Sequence, residues 1–275
     1  MNSRILLLAC AVLISLGILG YRELLLQPDG DLHAYFLDVD QGDAILLVTP
    51  SGKQILVDGG PNMETLEHLG HYMPFLDRTI ELLVLSHPHA DHLTAFPEIL
   101  RRYNVEQVLL SGYDYAASQY KALIEELLSR KIEVILADSS RDISMGDGVL
   151  IDVVWPHPED LNELDTNNAS VVVRILYGTH KILLPGDIET EAEMAILRSE
   201  ENIQSDVIKV PHHGSISSSS TGFLLAVRPE LGIISAGREN SFGHPHEAII
   251  QRYEKMSIPL RITAKEGTIS LTFTR

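Results

Sequence analysis

The sequence predicts an α/β protein in which two β-sheets pack face to face with helices on their outer sides. In the first half of the chain, short apolar runs alternate with helical segments, a pattern typical of layered α/β folds. From Val149 to Asp187 the pattern changes to strands joined by turns, after which strands and helices alternate again. Because the two halves share this order of elements, we expect a single domain over residues 30–275.

The expected elements follow from hydrophobic periodicity and from the turn residues between apolar runs. Strands are expected at residues 34–37, 44–48, 54–60, 80–86, 106–110, 133–136, 150–155, 170–177, 181–184, 206–210, 231–235, 259–264 and 268–273. Helices are expected at residues 64–76, 93–103, 118–130, 189–199, 221–227 and 246–255. Pro74 interrupts the first of these helices, and the serine-rich run from Ser215 to Thr221 is expected to be a capping turn.

The composition fits a globular domain with a large core and limits its partners. Hydrophobic residues make up 45% of the chain and charged residues 21%. The formal charge of −17 argues against a broad basic face for nucleic acid and against binding of anionic lipids through charge. A small anionic substrate stays compatible with this charge, because bound metal ions can invert the local field. Cys10 is the only cysteine, so the domain has neither a disulfide nor a cysteine metal ligand.

Residues 1–23 are predicted to be a signal peptide or a membrane anchor. Residues 5–20 are nearly all apolar and are flanked by Arg4 and Arg22. The segment ends in Ile18-Leu19-Gly20, a poor cleavage site because a bulky residue stands where a small one is needed. Leu7-Leu8-Ala9-Cys10 resembles a lipoprotein box, but about five apolar residues precede the cysteine, fewer than the roughly 7–15 of an export signal. We favour an uncleaved anchor that holds the domain outside the cytoplasm, with a buried helix as the alternative.

The strongest functional signal is the run from His87 to His92, directly after the apolar segment at 80–86. Two histidines two residues apart at a strand end, His87 and His89, point the same way and can share one metal ion. Asp91 and His92 lie at the start of the next helix and can face a second ion. Because a tetrahedral zinc site needs about three or four ligands, the others must come from elsewhere in the chain.

Three further predicted strand ends carry candidate ligands. Asp187 follows the strand at 181–184, a pair of histidines follows the strand at 206–210, and another pair follows the strand at 231–235; these pairs are His212, His213, His244 and His246. Each of these alone could be a turn or cap residue. Seven of the twelve histidines fall in the three histidine clusters, however, and this concentration favours one shared site.

The H-x-H-x-D-H run resembles the signature of the metallo-β-lactamase fold. The match is closer to the C-terminal metallo-β-lactamase domain of bacterial competence DNA-uptake channel proteins, through residues 38–44, 55–60, 85–92, 184–187, 209–215 and 233–246. The resemblance covers residues 32–275 and implies a four-layer αββα sandwich, preceded here by one apolar segment. Two departures stand out. Asp40 takes the place of a usual glycine, and residues 155–170 lack the usual metal histidine, so that one ligand is unassigned and His157 is a candidate.

The resemblance implies the ligand set and the cofactors. One ion is held by His87 and His89, the other by Asp91, His92 and His213, and Asp187 bridges both. The usual Pro-x-His-Gly form favours His213 over His212 as the ligand. Two divalent ions are expected, with zinc favoured and manganese as the alternative. The diiron electron-transfer members of the fold carry a glutamate where this chain has His89, which argues against that chemistry.

Further residues are expected to orient a ligand, bind substrate or transfer protons. Asp58 is expected to orient a metal ligand, and substrate or ligand contacts are assigned to His212, Ser215, Lys209 and Arg238. The residues expected to act in catalysis are Asp91, His244 and His246, one of the two histidines protonating the leaving oxygen.

These expectations favour a phosphodiesterase or nuclease that uses metal-activated water, acting on extracellular or imported DNA. The acidic charge weakens the nucleic-acid version. Hydrolysis of an ester, thioester or lactam is the alternative, since no residue commits the site to phosphorus or carbon. A non-catalytic binding module tethered to the membrane is the third interpretation, and the complete set of ligands argues against it. The expected partners are a phosphodiester or nucleic-acid substrate and the membrane, and no protein partner is indicated.

Overall fold

Two seven-stranded β-sheets form the centre of the protein in the computed structural model, which describes residues 3–275. The strands of the first sheet are β1 (Leu32–Phe36), β2 (Ile45–Val48), β3 (Gln54–Val57), β4 (Thr79–Val84), β5 (Asn104–Leu110), β6 (Glu133–Leu136) and β14 (Ile269–Phe273). The strands of the second sheet are β7 (Ile143–Ser144), β8 (Val149–Trp155), β9 (Val172–Tyr177), β10 (His180–Leu184), β11 (Val207–Lys209), β12 (Leu231–Ile234) and β13 (Leu260–Ile262). Their spatial orders are β14-β1-β2-β3-β4-β5-β6 and β13-β12-β11-β10-β9-β8-β7.

The helices cover the outer faces of both sheets, except for the first one. They are α1 (Ser3–Leu25), α2 (Glu64–Tyr72), α3 (Ala90–Leu93), α4 (Phe96–Arg102), α5 (Ser118–Arg130), α6 (Thr190–Arg198), α7 (Thr221–Val227), α8 (Glu247–Lys255) and α9 (Thr263–Glu266). Two short 3₁₀ turns span Leu161–Glu163 and Pro211–Gly214. One apolar core lies between the sheets, a second between the first sheet and α2, α4 and α5, and a third between the second sheet and α6, α7 and α8. The predicted four-layer αββα sandwich is therefore confirmed.

Strand β4 is covered on both faces, which explains why its last three residues are all apolar. Leu82 and Val84 pack into the core between the sheets, whereas Leu83 packs under the helices of the first half. Successive side chains of a strand point to opposite faces, so a strand covered on both sides needs an apolar residue at both. The central strand that leads to His87 is therefore held rigidly from two sides.

Parallel pairing brings the predicted site segments to one edge of the two sheets. In the first sheet β3, β4, β5 and β6 are parallel, with Val57 opposite Val84. In the second sheet β10, β11, β12 and β13 are parallel, with Ile182 opposite Val207. Residues that follow β3 and β4 thus emerge beside one another, and the same holds for residues that follow β10, β11 and β12.

Several element boundaries differ from the expected ones. The expected helix 93–103 is two helices, α3 and α4, and begins three residues earlier, at Ala90. Pro97 lies in the first turn of α4, where its missing N–H needs no partner, and a new helix begins there instead of continuing α3. The expected strand 80–86 ends at Val84. The sequence patterns predicted neither β7 nor α9, both of which are very short.

Helix α1 extends away from the sandwich, and its described side chains are exposed to solvent except for the half-buried Arg22 and Glu23 near its end. Its mean hydropathy of 2.2 over 18 residues and its 23-residue length make it the one helix within residues 3–275 that is long and apolar enough to cross a bilayer. Near its end, the Arg22 guanidinium donates a hydrogen bond to the His71 carbonyl at 2.9 Å. This contact ties the base of α1 to the end of α2.

Candidate metal centre

Asp187 lies at the centre of the histidine clusters. It follows β10, is buried, and its Oδ2 atom lies close to four imidazole nitrogens. The distances from Oδ2 to Nε2 are 3.2 Å for His213, 3.3 Å for His92, 4.0 Å for His87 and 4.0 Å for His212. A single carboxylate oxygen therefore adjoins ligand atoms from two sequence segments that are more than a hundred residues apart.

Asp58 fixes the orientation of the His92 ring through a hydrogen bond to Nδ1. The Asp58 Oδ2 atom accepts a hydrogen bond from His92 Nδ1 at 2.8 Å and another from Ser86 Oγ at 2.6 Å, while Oδ1 accepts from the Ser86 amide at 2.7 Å. Burial raises the pKa of Asp58, and the neighbouring His92 opposes this shift. Because the carboxylate holds a proton of His92 on Nδ1, Nε2 is the ring nitrogen that faces Asp187. A carboxylate–histidine pair of this kind is a common support for a metal ligand.

His213 is oriented in the same way by a different acceptor. Its Nδ1 atom donates to the Ser235 carbonyl, just past β12, at 2.8 Å, and this bond leaves Nε2 free toward Asp187. His213 sits in the 3₁₀ turn with a φ of 53°, and His212 before it has a φ of 49°. This left-handed backbone is uncommon for residues other than glycine, although histidine adopts it more often than most, and strain of this kind is often found at functional sites.

The buried polar atoms of this cluster fit a bound cation. Ligand atoms of Asp43, His92, Asp187 and His213 all lie within 4.8 Å of one another, and all four residues are buried. The Nε2 atoms of His92 and His213 make no hydrogen bond within the described residues 3–275. Since native proteins rarely leave buried polar atoms unpaired, these nitrogens are suited to hold a metal ion.

The charges of the cluster indicate that a metal ion would displace protons from its histidines. Burial opposes a positive charge on His213, but Asp187 and Asp43 together outweigh it and raise the pKa of His213 to about 9. Burial likewise opposes the negative charge of Asp187, yet His213, Lys209 and His92 hold its pKa well below the usual range. Without a metal these histidines therefore carry protons, and metal binding has to displace them. Metal affinity is accordingly expected to rise with pH.

His87 and His89 form the other side of the centre. His87 Nε2 lies 3.0 Å from His89 Nδ1, and His87 Nδ1 lies 3.1 Å from Ser86 Oγ. Burial lowers the pKa of His87 well below its ordinary value of 6.5 and also lowers that of His89. Both imidazoles are therefore neutral at pH 7, which is the form that binds metal.

Asp91 lies beside His92 and His213 and, like His89, is only partly buried. Its Oδ2 atom lies 3.6 Å from His213 Nε2 and 3.7 Å from His92 Nε2. Burial opposes its ionisation, but these two histidines lower its pKa below the ordinary range. Asp91 is therefore ionised beside the cluster.

A buried pair, Asp43 and Lys209, lies behind Asp187 and was not recognised as a pair from the sequence. The Lys209 ammonium contacts Asp43 Oδ2, lies 3.2 Å from Asp187 Oδ1 and donates to the Gly186 carbonyl at 3.1 Å. Both residues are only 1% exposed, so Lys209 does not reach the surface to hold a substrate. The signal that could have found the pair is a lysine inside a run of buried strand residues, since such a charge needs a partner.

A cavity of about 490 Å³ opens onto Asp187, and among the residues lining it are His89, Asp91, Tyr115, His212, Phe242 and His244. His244 stacks on Phe242, with ring centres 5.7 Å apart, and its ring lies 5.2 Å from that of His246. Burial and the neighbouring His212 and His213 lower the pKa of His244 to about 4. The rim of the cavity is therefore aromatic and imidazole-rich.

The comparisons with known proteins agree with this geometry. The sequence profile of the Metallo-beta-lactamase superfamily matches residues 37–238. The chain belongs to this superfamily. The structure of the metallo-β-lactamase fold protein YhfI from Bacillus subtilis superposes with a TM-score of 0.57 at 14% identity, covering 88% of this chain and 99% of that one. That likeness supports the fold.

Two curated relatives share most of this chain. Recombination protein 2 of Haemophilus influenzae is 32% identical over 99% of this chain and 33% of its own length. Competence protein ComA of Neisseria gonorrhoeae is 28% identical over 94% of this chain and 35% of its own length. This metallo-β-lactamase superfamily member thus spans about a third of each relative. The resemblance to competence proteins is confirmed.

Four residues considered from the sequence make no hydrogen bond or ion pair with Asp187 within residues 3–275. Ser215 shares a hydrogen bond of 2.9 Å with Ser217 in the turn before α7, and the Arg238 guanidinium donates to the Ala264 carbonyl at 2.8 Å. His157 Nδ1 lies 2.6 Å from Ser139 Oγ, so that its imidazole is engaged elsewhere. Asp40 has a φ of 67°, a left-handed conformation that aspartate tolerates better than most residues, so it fits a position where the resemblance predicts glycine.

Proposed function

We propose that this metallo-β-lactamase superfamily hydrolase cleaves phosphodiesters at a site for two divalent metal ions. The observation that carries the proposal is the position of Asp187 Oδ2, within 4.0 Å of histidine nitrogens from both sides of the cluster. A carboxylate in that place suits a bridge between two ions. Two ions activate a water molecule and stabilise the negative charge of the leaving oxygen.

The proposed ligands divide into two groups around Asp187. His87 and His89 serve one ion, and the other ion is served by Asp91, His92 and His213. Asp58 and the Ser235 carbonyl fix the ring orientations of His92 and His213. Zinc suits the imidazole ligands, and manganese suits the carboxylates, so both metals belong in the test.

The rim histidines are proposed to act on the leaving group. With a pKa of about 4, His244 is neutral at pH 7 and carries one N–H, which can donate a hydrogen bond to an oxygen of the substrate. His246 lies beside it and is the second candidate for proton transfer to the leaving oxygen. His212 lines the same cavity and is proposed to contact the substrate.

DNA is the proposed natural substrate class, because relatives named for competence and recombination align with 94% and 99% of the length of this chain. The charge of −17 implies that any contact with the phosphate backbone is local to the metal ions. We further propose that α1 anchors the protein in a membrane and that the domain of residues 30–275 lies outside the cytoplasm. The length and hydropathy of α1 support this anchor.

The experiment uses the full chain in detergent, supplied with Zn²⁺ or Mn²⁺. Labelled single- and double-stranded DNA and bis-p-nitrophenyl phosphate are compared with a carboxylic ester, a thioester and a lactam. Turnover of the phosphodiesters that disappears in His89→Ala and Asp187→Ala supports the proposal. His180→Ala is the matched control, because His180 is bonded to the Thr274 carbonyl and lies outside the cluster.

Two outcomes would reject the proposal. Turnover of the ester, thioester or lactam alone would assign the same centre to carbon chemistry. Failure to turn over any substrate, together with less than one tightly bound metal ion per chain, would support a non-catalytic binding module.

A further inference from the structure

Asn167, at the cavity of the metal centre, carries a buried side-chain oxygen without a hydrogen-bond partner among residues 3–275. It lines the cavity together with His89, Asp91 and Asp187. Its Oδ1 atom is buried and makes no hydrogen bond within the described part of the chain. A buried carbonyl oxygen without a partner is unfavourable, so it is expected to persist only where another group uses it.

The loop that carries Asn167 is fixed between the two strand ends of the centre. The Ser170 amide donates to the Asn167 carbonyl at 3.0 Å, which closes the turn. The Val171 amide then donates to the Ser86 carbonyl at 2.8 Å, and the Asp187 amide donates to Ser170 Oγ at 3.2 Å. Asn167 is therefore held beside both the turn that leads to His87 and the turn that carries Asp187.

The three segments approach one another too closely to leave room for adjustment. A Cβ atom at Gly186 would lie 2.9 Å from Ser170 Cβ and 2.9 Å from Ser86 Cβ. The next residue, Asn168, is also locked, since its Oδ1 accepts from the amides of Glu189 and Ala192. The side chain of Asn167 thus sits on a rigid support, as a metal ligand requires.

The proposed ligands are unequally divided without Asn167. One ion has Asp91, His92, His213 and a share of Asp187, which makes four protein ligands. The other has only His87, His89 and a share of Asp187. Among residues 155–170, the only histidine, His157, is bonded to Ser139, so a ligand from this loop has to be another residue.

We propose that Asn167 Oδ1 is the further protein ligand of the ion held by His87 and His89. The inference rests on the proposed two-metal site and deepens it. A carboxamide oxygen is a hard, neutral ligand, which favours manganese over zinc at that position more than a histidine would. The ion on the His87 side is therefore the one expected to exchange between metals more readily.

The test measures metal binding to the full chain in detergent, independently of hydrolysis. Zn²⁺ and Mn²⁺ are titrated by calorimetry, and bound Mn²⁺ is also followed by electron paramagnetic resonance. Asn167→Ala is expected to bind one of the two ions at least about tenfold more weakly, since even supporting residues of a metal site give that loss. Asn167→Asp keeps the oxygen and is expected to bind both ions. Asn162→Ala, an exposed asparagine of the same loop, is the control.

The outcomes separate this inference from the proposed function. Fluorescence of Trp155, the only tryptophan, checks the fold of each variant, because its Nε1 donates to the Asn168 carbonyl beside the mutated residue. Two ions bound with unchanged affinity in Asn167→Ala would overturn the inference, as would equal losses in Asn167→Ala and Asn167→Asp. A raised KM with unchanged metal binding would assign Asn167 to the substrate instead. Two ions bound without any phosphodiester turnover would reject the proposed function and leave the ligand assignment intact.

Discussion

The Asp58→Asn variant tests how far the support of His92 determines metal binding. The Ser86 amide is a fixed donor to Asp58 Oδ1, so the oxygen of the new amide has to stay at that position. Its NH₂ group then faces His92 Nδ1, where the Asp58 carboxylate accepts a hydrogen bond in the native protein. His92 can pair with this donor only by moving its own proton to Nε2, which blocks the nitrogen that faces Asp187.

The size of the effect follows from this change of tautomer. The variant keeps the bond to the Ser86 amide but loses a charged acceptor, and loss of such a support typically lowers metal affinity about 10- to 100-fold. This corresponds to about 1.4–2.7 kcal/mol of binding free energy. Competition with a chromophoric chelator measures the dissociation constants for Zn²⁺, and thermal unfolding with chelator present measures the stability of the fold.

Asp152→Asn is the matched control for this prediction. Asp152 is a strand carboxylate that, like Asp58, accepts hydrogen bonds from a neighbouring side chain: it is half-buried in β8 and pairs with Arg174 at 2.7 Å, away from the histidines. The control is expected to lose some stability and no metal affinity. If Asp58→Asn is folded and binds Zn²⁺ as tightly as the native protein, the assignment of His92 as a ligand oriented by Asp58 is wrong.

Three further predictions concern stability. His213 has a pKa of about 9 in the folded protein against an ordinary 6.5, so without metal its charge stabilises the fold fully below about pH 6.5 and loses this effect as the pH rises through about 9. With chelator present, the Tm difference between the native protein and His213→Gln should therefore shrink across this range. A constant difference would contradict the pKa shift. Gly186→Ala is expected to unfold more easily than Gly267→Ala, because both have positive φ but only at Gly186 does the new Cβ meet other side chains at 2.9 Å; equal Tm losses would show that the close contact is unimportant. Lys209→Met leaves Asp43 and Asp187 without their cation and is expected to cost about 3–5 kcal/mol in urea unfolding, with partial recovery when Asp43→Asn is added; an unchanged midpoint would show that the pair is dispensable.

The fold was predictable where each element carries its own local pattern. Helix α5 and strand β6 begin and end where periodicity places them, because an amphipathic helix and a short β-branched run are strong signals. The break between α3 and α4 was not predicted. A proline fits the first turn of a new helix, and the apolar pattern on either side looks much the same whether the helix continues or starts again there. The return of β14 to the first sheet has no local signal, because an edge strand can join either sheet.

The candidate site was predictable where unusual residues follow strands. Asp187 and His213 were found because acids and histidines directly after apolar runs are expected at the edge where parallel strands end, and the structure places both there. Asp43 lies in the loop before β2 of the first sheet and Lys209 lies in β11 of the second sheet, so their contact depends on how the two sheets pack together. One acid and one lysine that are far apart in the sequence form no local pattern from which their pairing could be predicted. The metal-ligand roles themselves stay predictions until metal binding is measured.

Strand β14 also bears on aggregation. It pairs antiparallel with β1 from Leu32 opposite Phe273 to Phe36 opposite Ile269, and so covers an edge of a seven-stranded sheet. An uncovered β1 would present free N–H and C=O groups to any second chain, which is how edge strands start aggregation. In its place β14 becomes the edge, a strand of only five residues whose Ser270 and Thr272 are polar and exposed. The short, polar strand β14 is therefore expected to disfavour edge-to-edge pairing between the sheets of two molecules.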